Sequence, residues 1–548
     1  MSRDATRDVT RNETPNVTET PRHEAKGDPG GAAGGRLARA GGSLGLAGFA
    51  LYAAAAPHSI AVSWVGLSFA VLGWLARTAA TRRTGFRRTP LDLPLWLFFA
   101  WTVLSCFLSE EPRLSVPKLV NVSTLLTFYL AQALLTRRTA VGLAGLLVLS
   151  GAAGALWGAG ELAVGRGVVV RRLSVDSPLR RATPLREGDA VWRVNERRVS
   201  TVGEIDEAIR GTPAGGRVKL SVISRGEHAE WQGAVVTEET RAAASPSGIT
   251  EGGGPTHSFR ASGWTRHYET FAEVLQVAAQ LALGFALAGW LRRGRGEDEQ
   301  DEEDEEEETR GGASVLGRLA RSRVRLAAAA FVVLAAGLAL TAMRTTLVAF
   351  AVGAAVLAWR ATTKGRQRAV VAAAVACVLA LGAFAVLRTR ASGALRLGDA
   401  SAGLRYEVAR VAASRVPIHP VFGHGMDAVH AHWNEWGFPG RDLLHAHSTP
   451  VQLAFERGLP ALIFWLWLMW AFWRLALRAE RRWRDTPDAR AHGLALGLVG
   501  ALAGFLASSL VNYNFGDAEV ALLVWWMMGA AVVLLGGDAG RLARAGEA

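Results

Sequence analysis

The chain has 548 residues, half of them apolar and one-fifth charged, with a mean hydropathy of +0.18 and 61 Lys and Arg against 48 Asp and Glu. A positive mean in a chain with long polar stretches requires other stretches to be almost purely apolar, which excludes a single soluble globular enzyme and indicates a polytopic membrane protein. The formal charge of +13 understates the basic excess, because 11 acidic residues crowd into 297–308 and 37 remain elsewhere.

Residues 1–35 are polar and Gly-rich, without an apolar core, so they read as a disordered cytoplasmic N-terminus and the first apolar stretch as a retained span. Twelve stretches then come near the ~20 apolar residues that a hydrocarbon core demands. They are 38–56, 58–76, 91–109, 119–135, 140–163, 268–291, 325–342, 345–360, 369–387, 451–477, 492–512 and 519–536. Basic residues mark alternate loops: Arg36 and Arg39, RRTGFRR at 82–88, Arg137 and Arg138, Arg292 to Arg295, Lys364 to Arg368, RAERRWR at 478–484, and Arg541 with Arg544. The positive-inside rule makes these loops and both termini cytoplasmic, and the basic charge then meets anionic lipid headgroups. No motif supports a nucleic-acid role. The acidic run falls in a cytoplasmic linker, 292–324, where like charges repel into a solvated segment. Cys106 and Cys377 lie inside separate spans, so disulfides are not part of the design.

Alternation leaves two long segments on the outer face, 165–262 and 388–450. The first reads as short strands (VVVRRL, AVWRV, VKLSVI) around a helix, VGEIDEAIRG, within 168–236. The wording, with Asp176-Ser177-Pro178, Gly188-Asp189 and Val194-Asn195 as anchors, resembles a bacterial PDZ domain. That resemblance implies capture of a peptide C-terminus or extended strand by β-augmentation, with the carboxylate-cradling loop before the first strand, around Gly165 to Gly167. A structural spacer is the alternative.

The second segment gathers His419, His424, His430, His432, His445 and His447 with Trp433 and Trp436. The pairs His430/His432 and His445/His447 would each share one face of a strand, a weak metal pattern. Interfacial packing near headgroups is the bland reading. Ahead of them, AGLRYEVARVAASRV places Leu404, Val408 and Val411 on one helical stripe bordered by Arg405, with Arg410 and Arg415 as rivals for its role.

HPVFGHGMDAV followed by LLHAHSTPVQLAFERGLPALIFWLWL resembles the O-antigen ligase and polymerase superfamily of membrane glycosyltransferases, whose outer loop ends in G-x-G and then H-[NSQ]-x9-G-x-x-G. His447-Ser448 and Gly458 fit, while Ala461 stands at the last Gly position. Arg344 resembles the Arg of T-x-S-R-x-x-x-L, with Met343 for Ser and Leu347 one residue early. Arg405 resembles the Arg of G-R-x-x-x-W, with Leu404 intervening and Ala409 for Trp.

The resemblance implies an all-α polytopic membrane glycosyltransferase of about 12 transmembrane helices with a small α+β PDZ-like periplasmic insertion. Its domains run 36–164 (spans 1–5), 165–262 (the insertion), 263–291 (span 6), 325–387 (spans 7–9), 388–450 (the catalytic loop) and 451–548 (spans 10–12 and tail). It implies a multi-pass protein of the bacterial inner membrane that moves a glycan from undecaprenyl diphosphate to the lipid A core. It further implies that no metal or cofactor takes part and that the product is inverted. Arg344 and Arg405 would bind the diphosphate as permanently charged guanidinium forks. His447 would accept the proton of the acceptor hydroxyl. Asp517 and His445 are candidate helpers, and Gly423 and Gly425 a turn bringing backbone amides to a ligand. A polymerase using the same donor, or a relative that glycosylates protein, fits the same motifs. From other classes come a zinc-dependent membrane hydrolase built on the His cluster and an envelope scaffold built on the PDZ-like module.

Overall fold

A computed structural model describes residues 29–265, 267–303, 315–362, 365, 369, 400–440 and 442–536. The expected span 369–387 beyond its first residue, the segment 388–399 and the basic Arg541 and Arg544 lie outside the described residues. The helices in chain order are α1 (Pro29–Ala55), α2 (Ile60–Thr81), α3 (Asp92–Leu108), α4 (Pro112–Leu134), α5 (Arg137–Val164), α6 (Tyr268–Glu303), α7 (Val315–Leu340), α8 (Arg344–Ala361), α9 (Ala400–Arg415), α10 (Thr449–Arg484), α11 (Ala489–Ser509) and α12 (Ala518–Leu535). Among the described residues nine of these are long and apolar enough to cross a membrane; the shorter α3 and the Gly- and Ala-rich α1 are not among the nine. The protein is a mostly helical, multi-pass membrane protein with one small sheet region.

Two boundaries differ from the sequence reading. Helix α1 begins at Pro29, inside the stretch expected to be disordered, because proline's fixed φ suits a first helical turn and Ala32 and Ala33 continue it. The linker expected over 292–324 is helical over 292–303 and 315–324, where Leu, Arg, Ala and Glu favour the helix even in a charged run.

Small residues let the helices approach. A Cβ on Gly48 would lie 2.5 Å from the Gly66 carbonyl, and one on Gly73 at 2.5 Å from that of Gly41, so α1 and α2 pack backbone against backbone. Helices α11 and α12 run through the centre, α11 against α6, α8 and α10, and α12 against α4 and α10. At one end of the bundle the basic residues meet partners. Glu480 is paired with Arg360 and, at 2.8 Å, with Arg484, while Arg137 lies 3.5 Å from Asp488.

The opposite end carries the sheet. Strands β1 (Val168–Leu173), β2 (Ala190–Val194), β4 (Arg217–Ser224), β5 (Glu227–Val235) and β6 (Ile249–Gly252) lie in the order β5-β4-β2-β1-β6, with β3 (Arg197–Arg198) paired to β2, and all pairs are antiparallel. Val168 and Val222 both register with Val191, and alternate residues Val168, Val170, Leu220 and Val222 bury with Ile205 and Ile209 of the helix Val202–Arg210. The three expected strands and the helix are therefore present. Peptide capture along β1 meets an obstacle, because β1 is not an edge: β2 covers one side and β6 the other. A Cβ on Gly252 would meet Val202 at 2.4 Å and Val168 at 3.1 Å, so β6 fills the space between β1 and that helix. The loop expected to cradle a carboxylate is likewise occupied, with Arg166 and Thr256 exchanging backbone hydrogen bonds of 2.9 and 3.0 Å. The sheet is held to the bundle by Glu161 at the end of α5, which pairs with Arg166 and, at 3.1 Å, with Arg198.

Candidate functional site

Between the sheet and the ends of the helices lies a cavity of about 1360 Å³. Its floor comes from α6, the loop after α11 and the segment before α10; its roof is the sheet's loop Pro184–Asp189 and the β4–β5 hairpin.

Helix α9 aims one arginine into it. The stripe of Leu404, Val408 and Val411 packs on Val429, Trp433, Phe438 and Phe455, fixing the helix about its axis. Arg405, beside that stripe, lines the cavity, pairs with Glu269 in the first turn of α6, and donates from Nη1 to Asn512 Oδ1 at 3.2 Å. Its rivals are engaged elsewhere. Arg410 pairs with Glu407 at 2.9 Å, and Arg415 lies over the Trp436 ring at 4.7 Å.

One helical turn beyond Glu269, the buried Glu273 carboxylate accepts from Ser508, from Asn512 Nδ2 at 3.1 Å, from Thr346 Oγ1 at 3.3 Å and from Asn514 Nδ2 at 3.4 Å. Four donors compensate for its burial and tie α6, α8 and α11 together. Arg344 is the first residue of α8, between Met343, which lines the cavity, and Thr345, whose Oγ1 accepts from Asn512 Nδ2 at 3.2 Å. Arg344 is half-buried at this edge and is not itself among the residues lining the cavity.

His445 and His447 also line the cavity, their rings 4.3 Å apart. His447 is buried and holds a left-handed backbone, φ 50°, which costs an L-residue free energy and is found where surrounding structure imposes it. The restraint is visible: the Ala446 amide donates to Gln452 Oε1 at 2.6 Å, and Thr449 hydrogen-bonds from its amide and Oγ1 to the Asn512 carbonyl and from Oγ1 to Asn514 Oδ1. Burial lowers the pKa of His445, Glu269 opposes that and Arg405 reinforces it, so the imidazole is held toward its neutral form. Asp517 accepts from Thr270 Oγ1 at 3.0 Å, and burial, aided by the charges of Glu519, Glu269 and Glu273, pushes its carboxyl up to about 7.

The glycine turn does something other than present amides. Its Gly423, His424 and Gly425 amides donate to the carbonyls of His419, Phe455 and Glu456 at 3.0, 2.8 and 3.0 Å. Both glycines have positive φ and meet backbone or hydroxyl atoms where a Cβ would stand, so the turn serves close packing, Gly423 against α10 and Gly425 against Ser109, Glu111 and Ser115 at the turn from α3 into α4. The H-x-H pairs are not strand pairs either. His430 lies in a short helix, Ala428–Ala431, where residues two apart face different ways, so it meets Asp442 while His432 meets Glu435 and Glu111.

Leu444, His445 and Tyr513 separate the large cavity from a narrower one of about 230 Å³, reached by Lys118, Asn121, Glu456, Arg457 and Trp525. Glu269, Glu273, Asn512 and Asn514 were not among the expected site residues. An acid inside an apolar run, as in ETFAEVLQ, was the available signal.

A multi-pass helical membrane protein with a roofed polar cavity is the class that these features define. Residues 329–466 match the family model described as O-antigen ligase, so the chain carries a domain of the O-antigen ligase superfamily over about a quarter of its length. Arg344, Arg405 and His447 all fall within the matched segment, whereas the sheet, Glu269 and Asp517 lie outside it. Comparison with curated proteins gives no match.

Proposed function

We propose that this protein is an O-antigen ligase, transferring a glycan from undecaprenyl diphosphate to the lipid A core at the periplasmic face of the inner membrane, with both termini in the cytoplasm. The observation that carries this reading is the meeting of Arg405 and His447 in one cavity, both supplied by the matched segment. As the bond from the anomeric carbon to the diphosphate breaks, negative charge grows on the leaving oxygens. Arg405 takes it up through two N–H groups of a fixed fork, Arg344 from the N-terminus of α8, and neither needs a metal. His447 accepts the proton of the attacking hydroxyl, which enters opposite the leaving group and inverts the anomeric centre. Asp517, its carboxyl pushed up to about 7, and His445, held toward its neutral form, line the same cavity and would take that proton on. The sheet roofs the reaction and shields it from water, and loss of 168–252 should therefore lower transfer.

The test is His447→Ala in cells, with lipopolysaccharide resolved on a gel and protein level held equal. Loss of the polysaccharide ladder with unmodified core is the expected result. Core bearing a single repeat would assign the polymerase reaction instead, and a normal ladder would overturn the transferase role of His447.

A further inference from the structure

A second cluster stands away from the cavity. Glu110 lies in the turn between α3 and α4, and His419 and His424 in the loop after α9. The ligand atoms of these three side chains lie within 4.8 Å of one another, with Glu110 Oε2 and His419 Nε2 at 3.5 Å and Glu110 Oε2 in contact with His424 Nδ1. None of the three lines the large cavity. We propose that Glu110, His419 and His424 form a site for a divalent transition metal of the zinc class.

The hydrogen-bonding of His424 carries the argument. Its Nε2 lies 3.0 Å from the Arg415 carbonyl, which can only accept, so Nε2 holds a proton. That contact holds the ring so that Nδ1, its other ligating nitrogen, faces the Glu110 carboxylate, and the ligand atoms of His424, His419 and Glu110 are gathered on one side of the ring. A backbone carbonyl on the far nitrogen is also the arrangement that fixes the tautomer of a ligating histidine.

The rest of the site is prepared for the ion. His424 is buried, its ring stacked at 4.6 Å on Phe455 and 5.0 Å from Trp436, so it cannot turn away. The backbones are locked, since the amides of Glu110 and Glu111 donate to the carbonyls of Gly423 and His424 at 3.3 and 3.1 Å, and that of Gly423 to His419 at 3.0 Å. Ligand atoms bonded to one zinc at ~2.0–2.2 Å stand roughly 3.4 Å apart in a tetrahedron; the Glu110–His419 separation of 3.5 Å meets this, and the Glu110 carboxylate, in closer contact with His424, would turn outward to admit the ion. The side chains of Glu110 and His419 are 38% and 40% exposed, leaving an entry path and room for water as a fourth ligand. Two imidazoles and a carboxylate without thiolate suit zinc over calcium or magnesium. The ion would clamp the turn after α3 to the loop that follows α9, a structural task separate from glycan transfer.

The experiment uses the full chain, purified in detergent, stripped with chelator and titrated with Zn²⁺ against a chromophoric chelator. Wild type and His430→Ala should each bind one equivalent, while His419→Ala and Glu110→Gln should lose affinity by about 100-fold, and zinc should raise the Tm only of the first two. His419 and Glu110 are partly exposed, so these variants test the site without removing the buried His424. Equal binding by wild type and His419→Ala would overturn the assignment. So would absence of bound zinc at micromolar free metal, which would make the pair an imidazolium on a carboxylate. Transfer activity is not the readout, so this result and that of the His447→Ala test are independent.

Discussion

Arg405 and Glu269 are 136 positions apart in the chain and meet as an ion pair in the cavity wall. Glu269 opens the helix by which the chain re-enters the bundle after the sheet, and Arg405 belongs to the matched domain. Asn512, from the loop after α11, completes the hold. Three separate segments thus set one guanidinium, leaving its remaining N–H groups for an anionic ligand.

That arrangement predicts a difference between charge and geometry. Arg405→Lys keeps the charge and loses the planar fork, so transfer by purified protein should fall about 10²-fold, and Arg405→Ala should cost about 10²–10³-fold. Glu269→Gln should shift the rate in the same direction by less, because Asn512 still holds the guanidinium. Single-turnover transfer rates at equal protein level measure all three, and a wild-type rate for Arg405→Lys would rule out bidentate binding.

Asp517 predicts a pH dependence of stability. Its carboxyl titrates near 7 in the folded protein against an ordinary value of 3.8, so between these values the folded state holds more protons than the unfolded one. Stability from this group therefore falls as pH rises from about 4 to about 7. Asp517→Asn stays neutral and still accepts from Thr270. Its Tm should match wild type near pH 4 and exceed it by a few degrees at pH 8, and a difference that does not change with pH would contradict the burial argument.

Some of this was legible in the sequence. Apolar runs of about 20 residues leave few alternatives to a span, and Leu404, Val408 and Val411 repeat at helical spacing, which fixes the side of α9 on which Arg405 lies. The partners of Glu273 were not legible, because Ser508 and Asn512 are 235 and 239 residues away. No local pattern announces that pairing. The positive φ of His447 is equally hidden, since tertiary hydrogen bonds impose it. Strand β6 escaped because ITEG has neither length nor alternation, and its pairing depends on the helix Val202–Arg210 leaving space beside β1. The His430/His432 pair misled because in a helix residues two apart face different ways, whereas the rings of His445 and His447 come together, 4.3 Å apart, without a strand.

Gly458 should tolerate no side chain. Its φ is 80°, α10 breaks there ahead of Pro460, and a Cβ would come 1.9 Å from the Val421 carbonyl. Gly458→Ala adds both strain and a clash with backbone, so it should destabilise by about 2–3 kcal/mol or more. Thermal unfolding in detergent measures this, and a Tm within a degree of wild type would show that the loop around Val421 yields.

His447 separates conformation from chemistry. Glycine relieves the left-handed backbone that alanine retains, so His447→Gly should be more stable than His447→Ala by about 1 kcal/mol. Both lack the imidazole and both should abolish transfer. Comparing Tm and transfer for the pair distinguishes a strained functional position from a packing one, because a packing role would let the more stable variant recover activity.

Gly252 controls whether β1 is covered. Its hydrogen faces Val202 and Val168 at distances that no Cβ can occupy, whereas Ile249 is buried in the sheet's core and Ser247 donates its amide to Asp206 Oδ1 at 2.9 Å. Gly252→Val should push the end of β6 out of its slot while those two anchors hold the other end, so the strand peels rather than the sheet unfolding. Amide exchange in Val168–Leu173 and Ile249–Gly252 should rise by about 10-fold or more with β4 and β5 unchanged, since local opening draws only on the contacts it breaks. The freed edge of β1 would then present unpaired N–H and C=O groups, and a fluorescent extended peptide should bind the variant and not wild type. Binding to both equally would mean that β6 does not block the edge. Exchange rising across the whole sheet would mean that β6 is part of the sheet's cooperative core and not a separable cover.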